Sequence, residues 1–123
     1  MRALEEIIQS VAGKFGLGEK AALLLSEILS LITDEYNGGL SGFLDRMRRA
    51  GLGELVESWV RFGPNNPISE NELERAIGSQ VIGNIASRVG VAQHTAKSAL
   101  ASMLPDVVDF LTPHGSIPSS IPA

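Results

Sequence analysis

Apolar side chains recur at intervals of three and four residues along most of this chain, and glycines repeatedly interrupt the pattern. That spacing places the apolar side chains on one face of an α-helix, whereas a half-buried strand would need strict alternation. The glycines, 13 in 123 residues, fall mostly where a periodic segment stops. The pattern therefore predicts an all-α fold, a compact multi-helix domain that requires no strand.

The first half of the chain contains four periodic segments separated by glycine turns. The first segment starts at Leu4 and is predicted to end at Gly13. The last of the four is predicted to end at Gly63. Trp59 shares the helical spacing of its apolar neighbours, which favours a place in the core over an exposed contact. The segments between those two run over Ala21–Ile32 and Leu40–Ala50.

The second half begins after a loop rich in proline and asparagine, residues 63–67. Ser69 and Glu72 have the spacing of a capping box, so a helix is predicted to start there. Ser79 is predicted to cap the next helix, which ends at Gly90. In the last apolar segment, Pro105 indicates either a kinked helix or the start of a new one.

The length and the 44% hydrophobic content fit one domain with one core. We expect a single all-helical domain over residues 1–113, with N-terminal helices in 1–63 and helix-turn-helix-like helices in 68–113. Residues 114–123 follow neither period, which predicts a flexible tail.

The sequence also limits where the protein can act. It contains no cysteine, its N-terminus lacks the pattern of a secretory signal, and its longest uninterrupted apolar run is Ala21–Leu25. A bilayer-spanning helix needs roughly 20 apolar residues. We therefore expect a cytoplasmic protein with no membrane partner.

The sharpest local pattern is a small residue, Ala86, followed four residues later by Gly90 and then by a second helix. Helix-turn-helix DNA-binding proteins use this spacing because the small side chain lets the helices cross closely and glycine allows the tight turn. In a complex of that kind Gln93, His94 and Lys97 would face the major groove, and Arg88 would contact phosphate.

The charge pattern argues against this DNA-binding interpretation. The net charge is −4, and residues 79–123 balance two basic against two acidic side chains. Nucleic-acid-binding proteins usually present a basic stripe instead. We therefore favour the alternative that the turn simply packs two helices against each other, and nucleic acid remains a disfavoured partner.

Catalytic and cofactor chemistry have no support in the residue pattern. The two histidines, His94 and His114, have no partner at ligand spacing, and the acidic residues are explained by helix starts and solvated faces. We expect a noncatalytic protein with no cofactor and no metal site.

Several landmarks in the chain resemble the YidB-like proteins, a bacterial family of unknown function. They are Gly38-Gly39-Leu40, Ala50-Gly51-Leu52-Gly53 leading into Ser58-Trp59, Asn66-Pro67-Ile68-Ser69, Leu104-Pro105 and Leu111–Pro118. The resemblance covers about two-thirds of the chain. It implies a compact all-helical domain with a homeodomain-like core, and it supplies no catalytic or binding residues.

The function that follows is a helical protein-interaction domain, with a protein partner or a second copy of the chain as its ligand. The segment from Ala21 to Ile32 suggests this, because its wide apolar face exceeds what short neighbouring helices need. The alternative is a helix-turn-helix DNA-binding domain.

A substitution at Gly90 tests the proposed turn. If Gly90 adopts a positive φ, then Gly90→Ala should lower the free energy of unfolding by about 1 kcal/mol or more, because a Cβ is strained there. Thermal denaturation measures the effect. An unchanged melting temperature would remove this interpretation of the turn.

Overall fold

The computed structural model describes residues 4–61 and 64–112, and these residues form helices joined by short turns. The predicted all-α fold is confirmed, since no strand occurs in the described part of the chain. The predicted flexible tail, residues 114–123, lies outside the described residues. The α-helices are α1 (Leu4–Phe15), α2 (Lys20–Ile32), α3 (Gly39–Met47), α4 (Gly53–Val60), α5 (Glu70–Ile77), α6 (Ser79–Val89) and α7 (Gln93–Leu111). A short 3-10 helix, Glu35–Asn37, precedes α3, and a π-helical turn, Arg48–Leu52, joins α3 to α4.

The last helix, α7, lies at the centre of the fold. It packs against α1, α2, α4, α5 and α6. Nine of its 19 residues are buried. A surface helix buries one stripe, whereas a helix with neighbours on several sides is a core helix. The other helices therefore fold around α7.

The apolar face of α2 is covered by its neighbours. Its buried residues are Ala21, Leu24, Leu25, Ile28 and Ile32, and α1, α3, α6 and α7 all contact the helix. Leu23 is the large aliphatic side chain of α2 that stays exposed, at 52%. The surplus apolar surface expected on this helix is thus largely absent, since core contacts occupy it.

Two of the predicted helix boundaries are wrong. Helix α1 continues past Gly13 to Phe15 and is followed by Gly16, which has φ +64°. Glycine inside a helix costs only about 1 kcal/mol, so it need not end one. Gly78, not Ser79, precedes α6, and no side chain caps that helix.

The start of α5 matches its prediction. The Ser69 side chain accepts a hydrogen bond from the Glu72 amide at 3.1 Å, and the Glu72 carboxylate accepts one from the Ser69 amide at 2.9 Å. Ile68 and Leu73, on either side of this capping box, are both buried. Local hydrogen bonds and core packing therefore agree on where this helix begins.

Trp59 anchors the segment that leads into α5. Its side chain is fully buried, as its spacing predicted, and its indole Nε1 donates to the Asn66 carbonyl at 2.7 Å. The Asn66 amide in turn donates to the Ser58 hydroxyl at 3.0 Å. These bonds hold residues 64–69 against α4, which places Asn65 beside α7.

Helix α7 passes through Pro105 without ending. Of the two possibilities that the sequence left open, the single helix is the one observed. Proline has no amide hydrogen, so the Ala101 carbonyl loses its regular helical donor. Pro105 and Ala101 are both buried, and core contacts hold the helix together across the gap.

No helix in residues 4–61 and 64–112 has the length and apolar character needed to cross a membrane.

Candidate functional site

The turn between α6 and α7 has the geometry that its sequence predicted. Gly90 adopts φ +85° and ψ +41°, and the amides of Gly90 and Val91 donate to the Ala86 carbonyl at 2.8 and 3.0 Å. Ala86 and Ala96 are both buried near the crossing. Glycine is favoured at this position because a left-handed backbone strains other residues.

Helix α2 holds this turn from one side. The Lys20 ammonium donates to the Gly90 carbonyl at 2.8 Å. The Arg88 guanidinium donates twice to one carboxylate oxygen of Glu27, at 2.7 and 3.0 Å. The hydrogen bond to Glu27, and then the charge of Glu27, raise the pKa of Arg88 above its ordinary value. Arg88 is therefore already paired with an anion of its own chain.

Two more of the candidate nucleic-acid residues are also engaged within the protein. The Lys97 ammonium forms an ion pair with the Glu74 carboxylate of α5. The Gln93 amide nitrogen donates to the Ser79 carbonyl at 3.2 Å, and its side chain packs beside Gly83. Both contacts tie the start of α7 to neighbouring helices.

His94 is the remaining candidate, and it lies exposed in the first turn of α7. The structure therefore does not bring Arg88, Gln93, His94 and Lys97 together as a basic surface. Phosphate binding requires cations that an incoming anion can neutralise. Here two carboxylates, Glu27 and Glu74, already neutralise both cations.

A different feature offers an open surface. A groove of about 700 Å³ lies between α1, residues 65–70 and α7. Its apolar walls include Phe15, Ile68, Ala101 and Pro105, and polar side chains line the rest. A concave surface with apolar walls and a few polar groups is the usual form of a binding site.

Asn65 and Ala101, which both line this groove, each carry an acceptor without its regular donor. Asn65 Nδ2 donates to the Pro105 carbonyl over 3.4 Å, while no donor among the described residues reaches the buried Asn65 Oδ1. The Ala101 carbonyl lacks its regular helical donor because residue 105 is proline. A buried acceptor without a donor costs about 1–3 kcal/mol. Because Oδ1 is buried, the Asn65 amide would have to rotate before a ligand in the groove could satisfy it.

The rim of the groove is also rich in acceptors. Among the described residues that line it, Glu70 and Asp106 carry carboxylates and Lys14 carries an ammonium group. Glu70 accepts a hydrogen bond from the Ser98 hydroxyl at 2.7 Å, which joins α5 to α7 across the groove. The groove is suited to a segment that donates hydrogen bonds and carries no carboxylate.

No pattern in the sequence predicts this site. In the sequence, Asn65 belongs to a loop signal and Pro105 interrupts a helical segment. The one signal in the sequence was Pro105 within an apolar helical segment, because it marks a carbonyl without its donor. Nothing in the sequence indicated that residue 65 would lie beside that carbonyl.

The fold and the groove place this protein among the all-helical, homeodomain-like domains. In this domain the second helix of the helix-turn-helix pair, α7, lies at the centre of the hydrophobic core. Among the described residues, no three His, Cys, Asp or Glu side chains are grouped in a way that could hold a metal ion. The groove between α1 and α7 is an open cleft in the described part of this domain.

The chain belongs to the YidB-like protein family, whose model matches residues 3–120. It is 30% identical over 112 residues to the uncharacterized protein YidB of Escherichia coli K12, covering 90% of this chain and 82% of that protein. A homeodomain-like protein of unknown function from Shigella flexneri, S4005, has a solved structure with a TM-score of 0.66. It is 29% identical, and the match covers 94% of this chain and 85% of that one.

The pairing of Arg88 and Lys97 predicts how the protein behaves on a duplex DNA column. We expect the unmodified protein to elute at low salt. The double variant Arg88→Ala/Lys97→Ala should elute at no higher salt concentration than the unmodified protein. Glu27→Gln with Glu74→Gln should increase retention, because it frees both cations and removes two negative charges. Salt-sensitive retention of the unmodified protein that is lost in the double alanine variant would contradict this account.

Proposed function

We propose that this protein is a noncatalytic protein-interaction domain whose working surface is the groove between α1 and α7. The observation that supports this most directly is the open groove itself, about 700 Å³ in volume, which combines apolar residues such as Phe15 and Ile68 with polar side chains such as Asn65 and Ser102. The proposed ligand is an extended peptide segment of a partner protein.

An extended peptide fits the chemistry of the groove better than a helix does. Inside a helix, backbone amides are already bonded to carbonyls of the same segment. An extended segment keeps its amides free to donate, and its alternate side chains can contact the apolar wall at Phe15 and Ile68. The proposed ligand also lacks carboxylates, because the Glu70 carboxylate on the rim would repel them.

The polar groups of the groove support binding rather than catalysis. Ser98 donates to Glu70, but a carboxylate alone is too weak a base to activate a serine hydroxyl at neutral pH. His94, which could serve as a base, is not among the residues that line the groove. We therefore propose that the groove recognises a ligand and does not transform it.

Nucleic-acid binding through α6 and α7 is the second candidate. The homeodomain-like structural neighbour and the exposed His94 favour it. The internal ion pairs of Arg88 and Lys97 favour the peptide groove instead, because the neighbouring Glu27 and Glu74 carboxylates lower the positive potential that a phosphate would meet.

Selection from a displayed peptide library tests the proposed function. We expect the protein to enrich carboxylate-poor sequences with aliphatic side chains. Ser102→Arg places a bulky cation in the groove, and it should weaken binding of the selected peptides about tenfold or more, equivalent to about 1.4 kcal/mol. Fluorescence anisotropy of labelled peptides measures the change.

Ser87→Arg is the matched control, since Ser87 lies exposed on α6 away from the groove and receives the same side chain. It should leave peptide affinity unchanged. Peptides that bind Ser102→Arg as tightly as the unmodified protein would contradict the proposal. A failure to enrich any sequence would do the same.

A further inference from the structure

We propose that two copies of this chain associate through a two-fold contact in which the Tyr36 side chain of each copy enters a depression on the other. The depression lies between α2, α3 and α5 and shares no lining residue with the groove between α1 and α7. The inference therefore goes beyond the proposed function and does not depend on it. Three observations support it: the exposure of Tyr36, the rigidity of its turn, and the shape and charge of the depression.

Tyr36 is fully exposed in the 3-10 helix that precedes α3. Leu23 on α2 is the other large hydrophobic side chain that is exposed among the described residues. Tyrosine is enriched at the centres of protein interfaces, because its ring offers a large contact area and its hydroxyl can form a hydrogen bond. A tyrosine that its own chain leaves uncovered is available to a second molecule.

The turn that carries Tyr36 is held in one conformation. The Tyr36 amide donates to the Asp34 carboxylate at 3.0 Å, and the Asn37 side chain donates to the other oxygen of that carboxylate at 2.6 Å. The Arg46 guanidinium donates to the Asn37 carbonyl at 2.8 Å. A Cβ on Gly42 would collide with the same carbonyl, so α3 packs tightly against the turn. Tyr36 therefore loses little backbone freedom when it binds.

A depression of about 160 Å³ lies next to this turn. Its walls are mostly apolar and come from α2, the 3-10 helix, α3 and α5: Leu31, Asn37, Phe43, Arg46, Ala76 and Ile77. A concave surface with apolar walls and a few polar groups can accept an aromatic ring. Because Tyr36 is fully exposed, it does not fill the depression of its own chain.

Arg46 gives the depression a polar group that suits a tyrosine. Its guanidinium lies 5.9 Å from the centre of the Phe43 ring, and it forms no ion pair with any described residue. A cation without a carboxylate partner can pack against the face of an aromatic ring and can donate to a phenol oxygen. The Tyr36 side chain of a second copy offers both groups.

The charges around the depression favour a second copy as the occupant. Glu35, which precedes Tyr36, is exposed, and its carboxylate has no partner among the described residues. Arg75, which precedes Ala76 on α5, is also exposed and forms no ion pair there. A Tyr36 that enters the depression of another copy brings Glu35 toward its Arg46 and Arg75, and opposite charges then meet across the contact.

The position of the two features also fits a two-fold contact. Asn37 lines the depression and directly follows Tyr36, so the protruding ring and the depression lie on one face of the molecule. In a two-fold interface the same patch of both copies meets, so both tyrosines are inserted at once. Each aromatic side chain buries about 150–250 Å², whereas a stable interface buries about 1,200–2,000 Å². The expected dimer is therefore weak and concentration-dependent.

Sedimentation equilibrium of the full chain at protein concentrations up to about 1 mM tests the contact. We expect the average mass to rise toward that of a dimer. Tyr36→Ala should raise the dissociation constant about tenfold or more. Leu23→Ala is the matched control, because it removes the other exposed hydrophobic side chain, and it should change nothing. A chain that stays monomeric throughout, or a dimer that depends on Leu23 and not on Tyr36, would overturn the proposal.

A mixing experiment tests whether the contact is reciprocal. Ala76→Arg fills the depression but keeps the tyrosine, whereas Tyr36→Ala keeps the depression. Neither variant can form an intact contact with itself, but a mixed dimer contains one. We expect the mixture to associate more strongly than either variant alone, and equal association would contradict the two-fold arrangement. Tyr36→Ala should leave peptide affinity at the groove unchanged, so the failure of one proposal is distinguishable from the failure of the other.

Discussion

The burial of α7 by five other helices is the constraint on which the rest of the structure depends. Its apolar residues recur over 19 positions, and no single neighbour is long enough to cover them. Shorter helices therefore surround α7, and glycine turns such as Gly90 let them reverse direction between contacts. The same packing turns a pair of helices with helix-turn-helix spacing into the centre of the core, where much of the second helix is inaccessible to a ligand.

This arrangement also places the site. Because α7 continues through Pro105, its backbone presents a carbonyl without a regular donor at Ala101, and the loop anchored by Trp59 sets Asn65 beside it. The groove thus follows from how a long core helix and a short loop meet. The ion pairs of Arg88 and Lys97 connect α6 and α7 to neighbouring helices. These two cations, whose positions in the sequence resemble those of a DNA-binding surface, therefore stabilise the packing of the helices.

Local signals predicted local structure well. The capping box at Ser69, the turn at Gly90 and the burial of Trp59 follow from a few adjacent residues, and all three are confirmed. The helix boundaries near Gly13 and Ser79 were wrong, since neighbouring packing outweighs the weak preferences of single residues. The groove was beyond sequence reasoning because it joins Asn65 to Pro105, 40 positions apart, and no spacing rule relates them.

Native-state hydrogen exchange tests most directly whether α7 is the core helix. The amides of Leu100, Met103 and Leu104 are buried among the surrounding helices, so we predict that they exchange only when the whole domain unfolds. Their opening free energy should equal the global free energy of unfolding measured with denaturant. Exchange of these amides at a clearly lower free energy, while α1 and α2 stay protected, would contradict the account, because α7 would then open independently of the helices around it.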